Sequence, residues 1–184
     1  MFYDHLKKVV EALLFVHGQP LSADKIAKLL DIPEESVILL LDKLSADLEK
    51  PDRGLVLMEV AGGFQLCTKP ELTDIVEKLA HVQEVRISSA AMETLAIIAF
   101  RQPVTRQEVE AIRGVNADKT ISNLLDRGFI KEVGRKDAIG RPILYGTSEQ
   151  FLQSFGLKDL KELPPLAQFL QEQETGKTED HSTE

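Results

Sequence analysis

Apolar residues in the first 80 positions follow helical spacing three times and then alternate in two short runs. Leu6, Val10 and Leu14 lie four residues apart and predict a first helix that Gly18 ends, and Ser22 predicts the N-cap of the next helix. The expected elements are helices carrying Leu6 to Leu14, Ile26 to Leu30 and Val37 to Leu48, a hairpin of strands 55–60 and 64–68, and a helix at about 71–79. Three helices followed by a two-stranded hairpin are typical of a winged helix, a relative of the helix-turn-helix.

The second half of the chain shows the same order of patterns. Thr105 and Glu108 form a capping-box sequence that opens a helix, and Gly114 ends it. The expected elements are helices at about 91–101, from Thr105 to Gly114 and at about 117–127, strands at 129–133 and 143–147 around a basic loop at 134–142, and a last helix at 149–155. From about residue 171 onward no apolar residue remains to be buried, so the tail is expected to be disordered.

A shift of 83 positions superimposes the two halves. The sequence Gln19-Pro20-Leu21-Ser22 falls on Gln102-Pro103-Val104-Thr105, and the apolar run 12–16 falls on 95–99. The match continues without a gap for about thirty positions and pairs Ile38 with Ile121. We therefore expect an α+β, mostly α, chain of two tandem winged-helix domains, 1–80 and 81–166, followed by a polar tail, 167–184.

Composition and charge narrow the class of protein. The 184 residues are 43% hydrophobic and 28% charged, without an apolar run long enough to span a membrane, so we expect a soluble cytoplasmic protein. The net charge of −8 is uneven: residues 1–80 have 9 basic against 14 acidic side chains, whereas residues 81–160 have 11 against 10. The acidity therefore argues against nucleic-acid binding mainly for the first domain.

The third helix of the first domain is unsuited to a DNA groove. It has acidic residues at Glu34, Glu35 and Asp42, and five consecutive apolar residues from Val37 to Leu41, more than one core-facing stripe requires. The surplus indicates a further apolar contact, either a dimer interface or burial against the wing or the other domain. The candidate dimerisation residues are Phe2, Tyr3, Ile38 and Leu39.

The second domain is more compatible with DNA. Its third helix presents Lys119, Ser122 and Asn123, and its wing adds three candidate phosphate contacts, Arg135, Lys136 and Arg141. A solvated hairpin tip also commonly has such residues, so direct nucleic-acid binding is expected to be weak or absent.

Catalytic motifs are missing from the sequence. The four histidines are dispersed, none at metal-ligand spacing, and Cys67 lies in a predicted strand as a small core residue. No nucleophile elbow, phosphate-binding loop or dinucleotide fingerprint occurs. We expect an adaptor without catalytic residues, cofactor or metal.

Several segments together resemble a known family. The sequence from Gly140 to Thr147, followed by Phe151-Leu152 and Phe155-Gly156-Leu157, is similar to segregation and condensation protein B, the non-catalytic winged-helix subunit of the bacterial SMC condensin complex. The opening 11–15 and the segment 18–21 share the resemblance, which covers about residues 6–166.

The resemblance implies a homodimer that binds the kleisin subunit, segregation and condensation protein A, and through it the SMC ATPase, in chromosome condensation and segregation at the nucleoid. It assigns dimerisation to the first domain and kleisin contact to the second, with Phe151, Phe155 and Leu157 as candidate contacts. Phe151 and Phe155 are also spaced to pack the last helix onto its own domain. The alternative function is a tandem winged-helix transcription regulator that binds duplex DNA directly.

Overall fold

The computed structural model describes residues 3–80 and 87–163. The chain divides into two compact units, Met1–Arg86 and Ile87–Glu184, each with its own hydrophobic core. The predicted Phe2 contact, the junction and the tail lie outside the described residues. No helix in the described ranges is long and apolar enough to cross a membrane.

The first unit is a winged helix. Its elements are α1 (Lys7–His17), α2 (Ala23–Leu30), α3 (Glu34–Leu48), β1 (Leu55–Val60), β2 (Gly63–Thr68) and α4 (Thr73–Ala80), with 3-10 turns at Asp4–Leu6 and Pro70–Leu72. Gly18 ends α1 in the left-handed conformation, and the Ser22 hydroxyl accepts a hydrogen bond from the backbone N–H of Lys25 at the start of α2. The predicted stop and cap are thus confirmed.

The core of the first unit lies between its three leading helices. Fully buried side chains on all three helices form it: Val10, Leu14, Ile26, Val37, Leu41, Leu44 and Leu48. β1 and β2 pair antiparallel, with Val60 opposite Gly63 across a two-residue turn. A side chain at Gly63 would approach the backbone nitrogen of Leu21 to 2.8 Å, and Leu21 in turn bridges to Phe64. This close approach joins the hairpin to the start of α2.

The second unit repeats the plan with a third, very short strand. Its elements are α5 (Ser89–Arg101), β3 (Val104–Thr105), α6 (Arg106–Arg113), α7 (Asp118–Asp126), β4 (Ile130–Arg135), β5 (Ile143–Thr147) and α8 (Glu149–Ser154), with a 3-10 turn at Leu160–Glu162. β5 is central in the antiparallel order β3-β5-β4. The capping box of Thr105 and Glu108 forms as predicted. β3 was not expected, and β4 takes the first two residues of the predicted loop. The α+β, mostly α, winged-helix fold is confirmed.

The repeat has a gap before the second helix. An ungapped shift of 83 pairs Phe15, which is 74% exposed, with the fully buried Ile98, so this part of the expectation is wrong. Five residues, 18–22, join α1 to α2, whereas four, 102–105, join α5 to α6. The first helices are therefore 84 positions apart, and Leu14 is the equivalent of Ile98.

A second gap of opposite sense precedes the third helix. Three residues, 31–33, join α2 to α3, whereas four, 114–117, join α6 to α7. The predicted pairing of Ile38 with Ile121 is consequently wrong, because Ile38 is exposed and Ile121 is buried. Counted from the first helical residue, Val37 is the equivalent of Ile121, and both lie in the core.

Candidate partner and nucleic-acid surfaces

The outward face of α3 contains an exposed apolar pair among acidic residues. Ile38 and Leu39, the fifth and sixth residues of the helix, are 42% and 43% exposed. Their neighbours Val37, Leu40 and Leu41 are buried in the core. The five-residue apolar run thus divides into three core residues and two surface residues. Among residues 3–80, neither the wing nor another element covers the surface pair.

Tyr3 lies at the start of the same unit but mainly faces inward. Its side chain is half-buried and packs against the core of the first unit. The turn that follows is held to α3 by the ion pair of Lys43 with Asp4, 2.6 Å between Nζ and Oδ1, and the start of α1 is held by the pair of Lys7 with Asp47. Hydrogen bonds from Lys50 and from Lys7 hold the pKa of Asp47 at about 2. Tyr3 is thus partly a core residue.

The two phenylalanines of α8 divide between core and surface. Phe151 is 3% exposed and belongs to the core of the second unit, whereas Phe155 is 42% exposed. Their ring centroids are 4.8 Å apart, and Leu157 is half-buried against the same core. Phe151, a candidate partner contact, is thus a core residue instead, as in the alternative that it packs the last helix onto its own domain. Phe155 is the member of the pair that remains at the surface.

Three arginines converge beside the second wing. Arg106, at the first position of α6, lines a half-open cavity of about 260 Å³ with Arg135 and Arg141 from the wing. Tyr145, Ile143, Pro142, Gln107 and Gly140 complete the lining. Burial raises the pKa of Tyr145 above its ordinary value. The sequence indicated Arg135 and Arg141, but nothing in the pattern placed Arg106 beside them.

Lys136 is part of a different contact. Its ammonium donates to the carboxylate of Glu108, 2.5 Å between Nζ and Oε1. This bond, together with hydrogen bonds from the backbone and hydroxyl of Thr105, holds the pKa of Glu108 at about 2. Lys136 therefore fastens the wing to the capping box of α6, and it does not line the arginine cavity.

The outward face of α7 is polar, in contrast to that of α3. Ser122 and Asn123, again the fifth and sixth helical residues, are exposed, as is Lys119. Lys119 is the equivalent of Glu35 when both helices are counted from their first residues. The positions that are apolar and acidic in the first unit are therefore polar and basic in the second.

Reactive side chains are not brought together in the described residues. There, no three His, Cys, Asp or Glu side chains are arranged to hold a metal ion. Cys67 is half-buried in β2, and burial raises the pKa of its thiol, which disfavours the nucleophilic thiolate.

Comparison with known proteins gives a consistent result. The family model described as "Segregation and condensation complex subunit ScpB" matches residues 8–166. Segregation and condensation protein B of Moorella thermoacetica is 49% identical over 180 residues, covering 96% of this chain and 90% of its own length. The protein of the same name from Desulforamulus reducens is 46% identical over 175 residues, covering 95% and 97%.

Solved structures are also similar in sequence. The crystal structure of ScpB from Mycobacterium tuberculosis is 40% identical, with a TM-score of 0.40, over 84% of this chain and 96% of that one. A dimer of the ScpB N-terminal domain complexed with ScpA peptide is 35% identical, with a TM-score of 0.41, over 43% and 99%. On the family match and the full-length relatives, the chain belongs to the ScpB family, subunits of the segregation and condensation complex of the chromosome.

Proposed function

We propose that this protein is a non-catalytic adaptor subunit of an SMC–kleisin condensin, acting at the nucleoid in chromosome condensation and segregation. Family membership over residues 8–166 is the observation that carries the proposal. The binding surfaces found above agree with an adaptor role. In this proposal the domain of residues 1–80 dimerises, the domain of residues 81–166 contacts the kleisin, and residues 167–184 form a tail.

The dimer contact is proposed for the outward face of α3. Ile38 and Leu39 expose adjacent apolar side chains at positions where the second unit has Ser122 and Asn123. Because the two helices occupy the same place in the same fold, the fold itself does not require apolar residues there. A two-fold interface would bury the pair against its own copy and remove apolar surface from water. Tyr3 and Phe2 are proposed to extend this contact.

Sedimentation at tens of micromolar tests the dimer. We expect the unaltered protein to sediment as a dimer and Ile38→Glu/Leu39→Glu to sediment as a folded monomer, since the interface would have to bury two carboxylates. The matched control is Ser122→Glu/Asn123→Glu, which places the same charges at the equivalent positions of α7 and should remain dimeric. A monomeric unaltered protein would count against the dimer.

The kleisin contact is proposed for the exposed end of α8. Phe155 presents an aromatic ring supported from below by the buried Phe151, and Leu157 flanks it. An exposed aromatic side chain on a rigid base suits recognition of an amphipathic helix from the kleisin, segregation and condensation protein A. The SMC ATPase would be reached through that kleisin. Phe151 serves in this arrangement as the support for Phe155.

Pull-down with the kleisin of the same host tests this contact. We expect Phe155→Ser to reduce retention at least tenfold, the effect of losing a central aromatic contact of about 1.4 kcal/mol or more. Ile139→Ser, which removes an exposed apolar side chain from the wing tip, is the control and should leave retention unchanged. Equal retention by all three proteins would place the kleisin contact elsewhere.

A further inference from the structure

The arginine cavity of the second unit has a preorganised wing. Arg141 has a left-handed backbone conformation, φ 42°, and its N–H donates to the carbonyl of Ala138 at 2.9 Å. The Arg141 carbonyl in turn accepts a hydrogen bond from Nη1 of Arg135 at 3.2 Å. The backbone of Lys136 closes the tip on the Pro142 carbonyl at 2.8 Å. The wing is therefore closed by its own hydrogen bonds, and one of them positions the Arg135 guanidinium before any ligand arrives.

Two of the three guanidinium groups have no carboxylate partner within the part of the chain that the structure describes. Arg106 pairs with Asp118, 2.5 Å between Nη1 and Oδ1, and this contact raises its pKa. Neither Arg135 nor Arg141 forms an ion pair in residues 3–80 or 87–163. Two arginines without a carboxylate partner thus line one cavity, an arrangement that an incoming anion would stabilise.

The first unit has no arginines at the positions equivalent to this cavity. The equivalent of Arg106 is Ala23, which is buried, and the hairpin from Leu55 to Thr68 has one charged residue, Glu59. The second hairpin, from Ile130 to Thr147, has four basic and two acidic residues. Because the winged-helix fold forms in the first unit without these arginines, the fold does not explain their presence.

We propose that the cavity of Arg106, Arg135 and Arg141 binds a phosphate group of the duplex DNA backbone, independently of base sequence. In helix-turn-helix proteins the first helix of the motif crosses the DNA backbone, and the second lies in the groove. The cavity is built by the start of that first helix, α6, and by the wing. This binding function is separate from the adaptor role and does not depend on it.

The neighbouring helix favours DNA over an acidic peptide as the ligand. α7, the helix that would face the groove, exposes Lys119, Ser122 and Asn123, which can bond phosphates or base edges. An acidic amphipathic peptide would call for an apolar face on that helix, whereas the exposed positions of α7 are polar or charged. With a single phosphate site and an acidic chain, the affinity should be low and strongly dependent on salt.

Fluorescence anisotropy with the full-length protein and a labelled duplex of about 30 base pairs tests the proposal, at salt concentrations of about 50 to 200 mM. We expect Arg135→Gln/Arg141→Gln to weaken binding about tenfold at the lowest salt and to reduce the slope of log K against log salt by about one, the loss of one phosphate contact. Two duplexes of unrelated sequence should give the same affinity.

The control Arg101→Gln/Lys161→Gln removes the same charge from exposed positions of the second unit outside the cavity and should keep the full slope. Arg135→Lys/Arg141→Lys keeps the charge and the fold, and should bind with intermediate affinity because lysine lacks the two-donor fork. The proposal is overturned if the unaltered protein does not bind at the lowest salt, or if the control loses as much slope as the cavity variant. It is also overturned if the cavity variant loses retention of the kleisin but not of DNA.

Discussion

The two winged helices of this chain place opposite chemistry at the same points of one fold. The third helix of the first unit exposes Ile38 and Leu39, whereas that of the second exposes Ser122 and Asn123. Their cores share a set of buried aliphatic side chains on three helices, to which the second unit adds Phe129, Tyr145 and Phe151. Core residues in this chain therefore report the fold, and the exposed residues at equivalent positions distinguish what each unit binds.

The connectors differ as well as the surfaces. Both units have a Gln-Pro pair after the first helix, but Gln102 bonds to the second strand of its hairpin and Gln19 is exposed. In the first unit, Gln65 of the hairpin makes the reciprocal contact, donating to the carbonyl of Gly18 at 2.9 Å. The same link between helix and hairpin is thus made by a connector glutamine in the second unit and by a hairpin glutamine in the first.

The largest expected effect on stability comes from the side chain of α1 that occupies the core. Leu14→Ala should lower the free energy of unfolding by about 2–5 kcal/mol, because Leu14 is fully buried and truncation leaves a cavity. Phe15→Ala should change it by less than about 0.5 kcal/mol, because that side chain is mostly exposed. Urea unfolding followed by far-UV circular dichroism measures both. A larger loss of unfolding free energy for Phe15→Ala than for Leu14→Ala would favour the ungapped alignment, in which Phe15 is the equivalent of Ile98.

Substitution of the glutamine in the Gln-Pro pair should have a smaller effect on stability, and a different one in each unit. Gln102→Ala removes hydrogen bonds to the Ala99 carbonyl and to the buried Thr147, whose N–H donates to Oε1 at 2.8 Å. We expect a loss of about 1–3 kcal/mol, the cost of an unsatisfied buried donor. The matched variant Gln19→Ala should cost less than about 0.5 kcal/mol. Equal losses of unfolding free energy for the two variants in the same urea titration would show that Gln19 and Gln102 do not differ in their hydrogen bonding.

The elements of both units follow from local sequence signals. Capping residues such as Ser22 and Thr105 and the stop at Gly18 act within one turn of helix, so the pattern alone locates them. The repeat is also apparent in the sequence, but its two one-residue gaps are apparent only in the structure. The three pairs of equivalent helices are 84, 83 and 84 positions apart, so a single shift of 83 fits only the second pair. The apolar pattern tolerates a displacement of one residue, and only burial distinguishes Leu14 from Phe15 or Val37 from Ile38.

The candidate surfaces were less predictable, because they depend on contacts between distant positions. Arg135 and Arg141 were found from the wing, but Arg106 joins them only through the folded arrangement of α6 beside the hairpin. Lys136 has the same charge as Arg135 and follows it in the wing, yet its ammonium pairs with Glu108, 28 residues earlier in the chain. Phe151 and Phe155 have the same spacing in either role, and only the packing of α8 shows which ring is buried.

The smallest expected effect concerns the hairpin turn of the first unit, which is tight where the second unit has a long wing. Ala61 and Gly62 both have positive φ, 50° and 71°, so the two residues form the turn type that favours Asn-Gly.

Ala61→Asn should raise the free energy of unfolding by about 0.5–1 kcal/mol, because asparagine tolerates the left-handed region better than alanine. Ala61→Val should lower it by about the same amount or more, since a β-branched side chain is poorly accommodated there. Thermal unfolding of the three proteins tests the sign: a stabilised valine variant would show that the turn is not held in this conformation. Arg141 has the same backbone strain at the second wing, but its side chain lines the arginine cavity, so an equivalent gain in stability there would come with a loss of DNA binding.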